Sequence, residues 1–262
     1  MITRRLHALL FATALILPAH PASAQDADEL ARQTQNPVAG LVTVPFEANW
    51  DMGIGDREAT GTILNFQPVV PFGLTPKWNM ILRTILPLSS QPGAGTQRIS
   101  GLGDSVVTLF LSPSASGKVI WGVGPVMLLP TATNTALGSE KFGFGPSVVV
   151  LTQPGPWTIG MLANQIWSVD GAIDRTGVNQ MLLQPFLHYN LGEGLSIGAS
   201  AEASINWKDD GTSTIPLLFS ASKVTRVGSR PVKLSMAVGP MLAHAQGADW
   251  RFRMSINFLF PR

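Results

Sequence analysis

The stretch Asp249-Trp-Arg-Phe-Arg-Met-Ser-Ile-Asn-Phe-Leu-Phe260 decides the fold. Trp250, Phe252, Met254, Ile256, Phe258 and Phe260 are apolar, while Arg251, Arg253, Ser255 and Asn257 between them are polar. A period of two describes a β-strand with one oily and one polar face. In a soluble sandwich the oily face meets a core. In an outer-membrane barrel it meets lipid, and the polar face lines the lumen. The partners of this strand are sought earlier in the chain, and the question is whether they build a sandwich or a closed wall.

Met1–Ala24 carries the marks of a secretory signal. Arg4 and Arg5 form its basic start, Ala8–Leu17 its apolar run and Ala22-Ser23-Ala24 the small-residue cleavage pattern. The run is too short for a membrane anchor, so the mature chain is expected to begin at Gln25. Two of the 18 basic residues and none of the 16 acidic ones lie in the signal, which leaves 16 of each sign. That balance gives no reason to expect a nucleic-acid partner.

There is no cysteine among the 262 residues, which excludes a disulfide scaffold and thiol-based metal or nucleophile chemistry. Charged residues make up 13% of the chain, against about a quarter in ordinary soluble domains. Yet no mature segment offers the run of about 18 apolar residues that a membrane helix needs. An exported chain with few charges, a positive mean hydropathy and no spanning helix has one common membrane solution, the β-barrel. Such a chain belongs in the outer membrane of a Gram-negative bacterium, reached through the periplasm. Its expected partners are outer-membrane lipid, a small-molecule solute and the barrel-assembly machinery.

Taken in order, residues 25–40 read as a polar periplasmic lead-in, either a short helix at the barrel mouth or a loose terminus. The barrel itself is expected over residues 41–262. Its strands are read at Leu41–Met52, Thr60–Phe72, Lys77–Leu88, Gly103–Ser112, Lys118–Pro130, Lys141–Thr152, Trp157–Ser168, Val178–Tyr189, Gly194–Trp207, Ser213–Thr225, Pro231–Ala243 and Asp249–Phe260. Each is about as long as a tilted bilayer crossing requires. The connections after odd strands include the three longest, Ser89–Leu102, Thr131–Glu140 and Val169–Gly177; those after even strands have four or five residues. This asymmetry fits a 12-stranded antiparallel transmembrane β-barrel with short periplasmic turns and longer external loops. Trp50, Trp78, Trp157, Trp207 and Trp250 fall near strand ends, where an aromatic girdle would sit.

Gly101-Leu-Gly-Asp104, Gly122-Val-Gly-Pro125, Leu128-Leu-Pro-Thr-Ala-Thr133, Gln153-Pro-Gly-Pro-Trp157, Val178-Asn-Gln-Met181 with Gln184-Pro-Phe186, and Phe258-Leu-Phe-Pro-Arg262 are similar to motifs of a known group. They resemble the outer-membrane barrel family labelled for the meta-pathway of phenol degradation, over about Asn36–Arg262. The resemblance implies a barrel and a porin-like transporter of small, in part aromatic, molecules. It supplies no catalytic residues.

The lumen candidates are Glu47, Asp51, Arg83, Glu202, Arg251 and Arg253, joined by Asn49, Gln180, Gln184, Asn206 and Lys233. If the first strand closes on the last, Glu47 and Asp51 lie near Arg251 and Arg253 across the seam. That acid/base ladder either forms a charged constriction or simply satisfies inward charges. Ile63, Val69, Ile81, Leu162, Ile166 and Leu182 also point inward; they either offer a greasy stripe to hydrophobic solutes or fill the interior.

A lipid-acting barrel enzyme is the second class, and a structural or binding barrel the third. Catalysis needs a Ser/His pair, and the mature chain has only His188 and His244, neither with a nucleophile at a telling spacing. No metal-ligand cluster is visible. The expectation is therefore a channel without enzyme activity, metal or cofactor. Gly101–Gly103 and Gly143–Gly145 read as bends or bulges in the wall.

Overall fold

The structure, a computed structural model, describes residues 21–115, 117–208, 213–244 and 247–261. Most of the expected signal, Met1–His20, lies outside the described residues. A helix, α1 (Pro21–Thr34), precedes fifteen strand segments. They are β1 (Val42–Ile54), β2 (Ala59–Phe66), β3 (Val69–Thr75), β4 (Trp78–Pro92), β5 (Arg98–Leu102), β6 (Ser105–Pro113), β7 (Val119–Leu129) and β8 (Lys141–Thr152). They continue with β9 (Trp157–Gly171), β10 (Asn179–Gly192), β11 (Leu195–Ala201), β12 (Ala203–Asn206), β13 (Ser213–Val227), β14 (Arg230–Ala243) and β15 (Trp250–Phe260).

Three collinear pairs, β2 with β3, β5 with β6 and β11 with β12, each serve as one stave, so the wall has twelve staves. All neighbours run antiparallel, and β1 pairs β15 from Val42↔Phe260 to Met52↔Trp250, which closes the barrel. The sequence places the staves but reads two broken ones, Thr60–Phe72 and Gly194–Trp207, as continuous, and takes β5 for part of a loop. Each break involves a proline, which has no N–H to give the ladder. Pro68 follows the end of β2. Gly103, after β5, donates to the Pro87 carbonyl at 2.8 Å, and Glu202, between β11 and β12, donates to the Pro216 carbonyl at 3.3 Å.

The two faces of the wall are inverted relative to a soluble protein. Asn49 and Asp51 are each 2% exposed, whereas Met52 is 37% and Trp250 50% exposed. Phe46, Leu64, Phe144, Val148, Ile197 and Phe219 likewise face outward. This is the polarity of a barrel that spans lipid, and it rules out the sandwich. All seven tryptophans fall into two belts. Trp78, Trp121 and Trp157 ring one end, where Trp157 stacks edge-on to Tyr189 at 4.7 Å and Trp78 to Trp121 at 5.9 Å. Trp50, Trp167, Trp207 and Trp250 ring the other.

Connections at the first end, the turn end, have two to five residues, and those at the second, the loop end, have four to eleven. The expected long loop Ser89–Leu102 is mostly strand. β4 runs on to Pro92 and pairs β5, with Ser90↔Ser100 and Gln91↔Ile99 in register. Alternation hides this hairpin because Ser89, Ser90 and Gln91 give neither face an oily signal.

The motifs Gly101–Asp104 and Leu128–Thr133 meet at the loop end. Thr133 Oγ1 accepts from Leu102 N–H at 3.0 Å, and Thr131 Oγ1 donates to the Gly103 carbonyl at 2.9 Å. Asp104 then pins the loop after β7 by accepting from Ser139 N–H and Oγ–H at 2.6 and 2.7 Å. A bulge falls between Phe142 and Gly143. A Cβ on Gly145 would meet the Gln165 carbonyl oxygen at 1.7 Å, so only glycine fits that bend.

Candidate functional site: the lumen and its plug

Barrel closure brings the seam residues together as the alternation predicts. Asp51 faces Arg251 and Asn49 faces Arg253 in the β1–β15 register. Arg251 binds Asp51 in a fork, Nε to Oδ1 at 2.6 Å and a terminal nitrogen to Oδ2 at 2.8 Å. His244, from the loop before β15, stands 3.5 Å from the same carboxylate, and its Nδ1 accepts from Ala248 N–H at 3.1 Å.

Arg253 does more than the seam requires. Its Nε donates to Asn49 Oδ1 at 2.6 Å and lies 3.4 Å from Glu47 Oε1. Its two terminal nitrogens grip Glu202 at 2.6 and 2.8 Å. Glu202 sits at the break between β11 and β12, with β13 and β14 standing between it and β15, so this pair is a strut across the lumen. The Pro216-induced break leaves Glu202 outside any regular strand pairing. Gln184 adds a hydrogen bond to Glu202 at 3.3 Å. Arg83, on β4, donates to Gln67 Oε1 at 3.3 Å, and Gln67 passes the chain on to Glu47 at 3.4 Å. All six lumen candidates thus face inward: Asp51 and Arg251 pair at the seam, while Glu47, Glu202 and Arg253 form one cluster that Arg83 joins through Gln67. Bidentate arginine–carboxylate pairs of this kind are short, directional and strong.

Four of the six greasy positions, Val69, Ile81, Leu162 and Leu182, share a second region, while Ile166 packs apart from them with Val126, Leu128 and Val178. Ile81, Phe110, Val149, Leu151, Leu162 and Phe186 pack into one buried cluster, with Val69, Ile120 and Leu182 against it. Its remaining member is Val38, from the segment between α1 and β1. The lead-in is therefore not outside the barrel. Leu30 and Ala31 of α1, with Leu41, pack on the inward side chains Val224 and Leu259. Asp28 accepts from Gly194 N–H at 2.5 Å, and Arg32 donates to the carbonyls of Gln153 and Gly155.

Gln35 is the pivot of this plug. Its Nε2 donates to Asn190 Oδ1 at 2.8 Å and Ser196 Oγ at 3.2 Å, and its Oε1 accepts from Thr158 Oγ–H at 2.6 Å. An aqueous pore is expected to lack an internal plug; here the polar lead-in closes the turn end. Sequence reasoning missed this because Gln33–Asn36 looks like solvated terminus. The available signal lies in the motifs that carry the family resemblance: Gln153 donates to the Arg32 carbonyl at 3.0 Å, Phe186 packs on Val38 and Leu259 packs on α1.

Above the plug lies a cavity of about 290 Å³, floored by Gln33, Thr34, Gln35 and Asn36 and walled by Glu47, Arg83, Glu202, Lys233 and Arg253. His188 joins this wall, with its ring centroid 6.0 Å from that of Phe186. A second space of about 840 Å³ runs past α1 toward the turn end, bordered by Asp26, Glu29, Asn79, Ser112 and Arg226. Gln33, Asn36, Ala39 and Leu41 border both spaces, so the lead-in lies between them. Among the described residues, no group of three or more His, Asp or Glu is placed to hold a metal ion.

No protein-family model matches the chain, and no curated protein matches it. Solved structures do. An outer membrane channel from Pseudomonas putida F1 aligns over 84% of this chain and 96% of its own, at 16% identity and a TM-score of 0.62. The NanC porin aligns over 84% and 100%, at 12% identity and a TM-score of 0.50. The outer membrane phospholipase A of Escherichia coli aligns over 89% and 98%, at 11% identity and a TM-score of 0.47. The first two establish a shared outer-membrane barrel fold; the third is too distant to carry an argument.

Proposed function

We propose that this protein is an outer-membrane channel for passive passage of small solutes, normally held shut at its turn end by the α1 plug. The observation that carries the reading is the polarity of the wall: oily outside, charged and hydrogen-bonded inside, around an interior whose turn end holds a docked segment. The short turns then face the periplasm, as export and barrel assembly require. That two barrels of this fold are named as a channel and a porin supports the same reading. Hydrophobic and aromatic solutes, implied by the phenol-pathway resemblance, fit the apolar stripe at Phe110, Leu162 and Phe186.

A lipid-acting enzyme fits less well. His188 faces the lumen, and among the described residues no serine hydroxyl is hydrogen-bonded to it. Asp51 and the Ala248 N–H hold His244. The test is conductance of the full mature chain in planar bilayers, beside a variant lacking residues 25–40. The reading expects small, intermittent conductance from the first and larger, steadier conductance from the second. Arg251→Glu with Arg253→Glu should shift ion selectivity toward cations. Silence from both forms in bilayers that pass a control porin would defeat the channel.

A further inference from the structure

The cavity above the plug is lined by more cations than carboxylates. Its carboxylates are Glu47 and Glu202 and its cations Arg83, Lys233 and Arg253. Glu202 is held by both terminal nitrogens of Arg253 and by Gln184. Glu47 accepts from Asn49 and Gln67 and faces Arg253. Lys233, on β14, has no hydrogen bond or ion pair among the described residues, and its ammonium opens on the cavity. A cation in a protein wall without a counter-charge is costly, and an incoming anion removes that cost.

The surroundings of Lys233 are chemically suited to one. Ser235 stands one step farther along the same face of β14, in register with Ser222 of β13 and Ser255 of β15. All three hydroxyls line the cavity, and none makes a hydrogen bond within the described protein. Their short side chains leave room where the longer residues of the seam fill it. Leu162 and Phe186 supply apolar wall to the same cavity. Its volume, about 290 Å³, lies near the small end of ligand sites.

We propose that Lys233 with Ser222, Ser235 and Ser255 forms a binding site for the carboxylate of a small organic acid whose apolar body rests on Leu162 and Phe186. The site sits in the path of the proposed channel and so rests on that reading for its role in transport, though not for binding itself. The donor-only, charged ammonium distinguishes an acid from its amide, because the carboxylate alone is a purely accepting, charged partner, and the hydroxyls can turn their protons toward it.

The experiment uses the full mature chain in detergent micelles, with benzoate, its neutral counterpart benzamide and chloride as probes in equilibrium dialysis. Benzoate should bind saturably and about tenfold or more tighter than benzamide, in line with a charge-assisted hydrogen bond. It should also exceed chloride, since chloride gains nothing from the apolar wall. Lys233→Met should lose that preference, and Ser235→Ala with Ser255→Ala should weaken benzoate several-fold while Lys233 remains. Heat-modifiable gel mobility reports folding of each variant, and the serine pair keeps the test alive if Lys233→Met fails to fold. Equal binding of benzoate and benzamide, or undiminished benzoate binding by folded Lys233→Met, would overturn the site. Bilayer conductance separates the two proposals: benzoate binding without conductance defeats the channel alone, and conductance without benzoate binding defeats the site alone.

Discussion

Along β15, β1 and the Glu202 break, the inner wall is a network of forks and amides around Arg251 and Arg253. From β6 to β10, the inner wall is Phe110, Val149, Leu162 and Phe186, packed on the plug's Val38. The outer faces of these two regions do not differ in kind: Phe46, Met254, Val148 and Phe144 all face outward. Lipid imposes one chemistry on the outside of every stave. Nothing imposes one on the inside, so whatever distinguishes this barrel from another is written on alternate residues only. The charged region ties staves together across the lumen through Arg253 and Glu202, while the apolar region takes up Val38 of the plug and α1 packs on Val224 and Leu259.

Substitutions can sharpen or break that contrast. Arg253→Ala leaves Glu202 and Glu47 without their partner, and loss of one member of a buried ion pair costs about 3–5 kcal/mol. Denaturant unfolding of the micelle-bound protein should show it as a large drop in midpoint. Little change there would mean that the strut is ornamental. On the apolar side, Leu162→Ala should cost about 2–3 kcal/mol, toward the low end for a buried leucine because Val38 can settle into the void. Its distinctive mark should be loosened closure, read as more frequent channel opening in bilayers. Arg175 and Glu140 pair at 3.1 Å on the half-exposed loop end. Replacing both with alanine should cost under about 1 kcal/mol and leave conductance unchanged. If that surface pair proved as costly as Arg253, the contrast between lumen and loop would be wrong.

The twelve staves and the Asp51–Arg251 pair were legible because both follow from alternation plus closure. The Arg253–Glu202 strut was not, because a contact across a lumen links staves that no register relates. The plug escaped for a related reason: Gln35 is polar and yet 5% exposed, since Thr158, Asn190 and Ser196 take the place of water. The Ser89–Leu102 hairpin escaped because outside the oily band neither face of a strand need be apolar. The strand breaks, by contrast, could have been read from Pro68, Pro87 and Pro216.

Met254 and Ser255 are adjacent on β15, the first 45% exposed on the outer wall and the second lining the cavity. The chain has no cysteine, so Met254→Cys and Ser255→Cys each give a single label site. In proteoliposomes, a fluorophore at Met254→Cys should be quenched by nitroxide lipid and the thiol there should resist a charged water-soluble reagent. The thiol at Ser255→Cys should react with that reagent and escape the lipid quencher. The opposite pattern, or the same response at both positions, would contradict an oily wall turned outward around a wet interior.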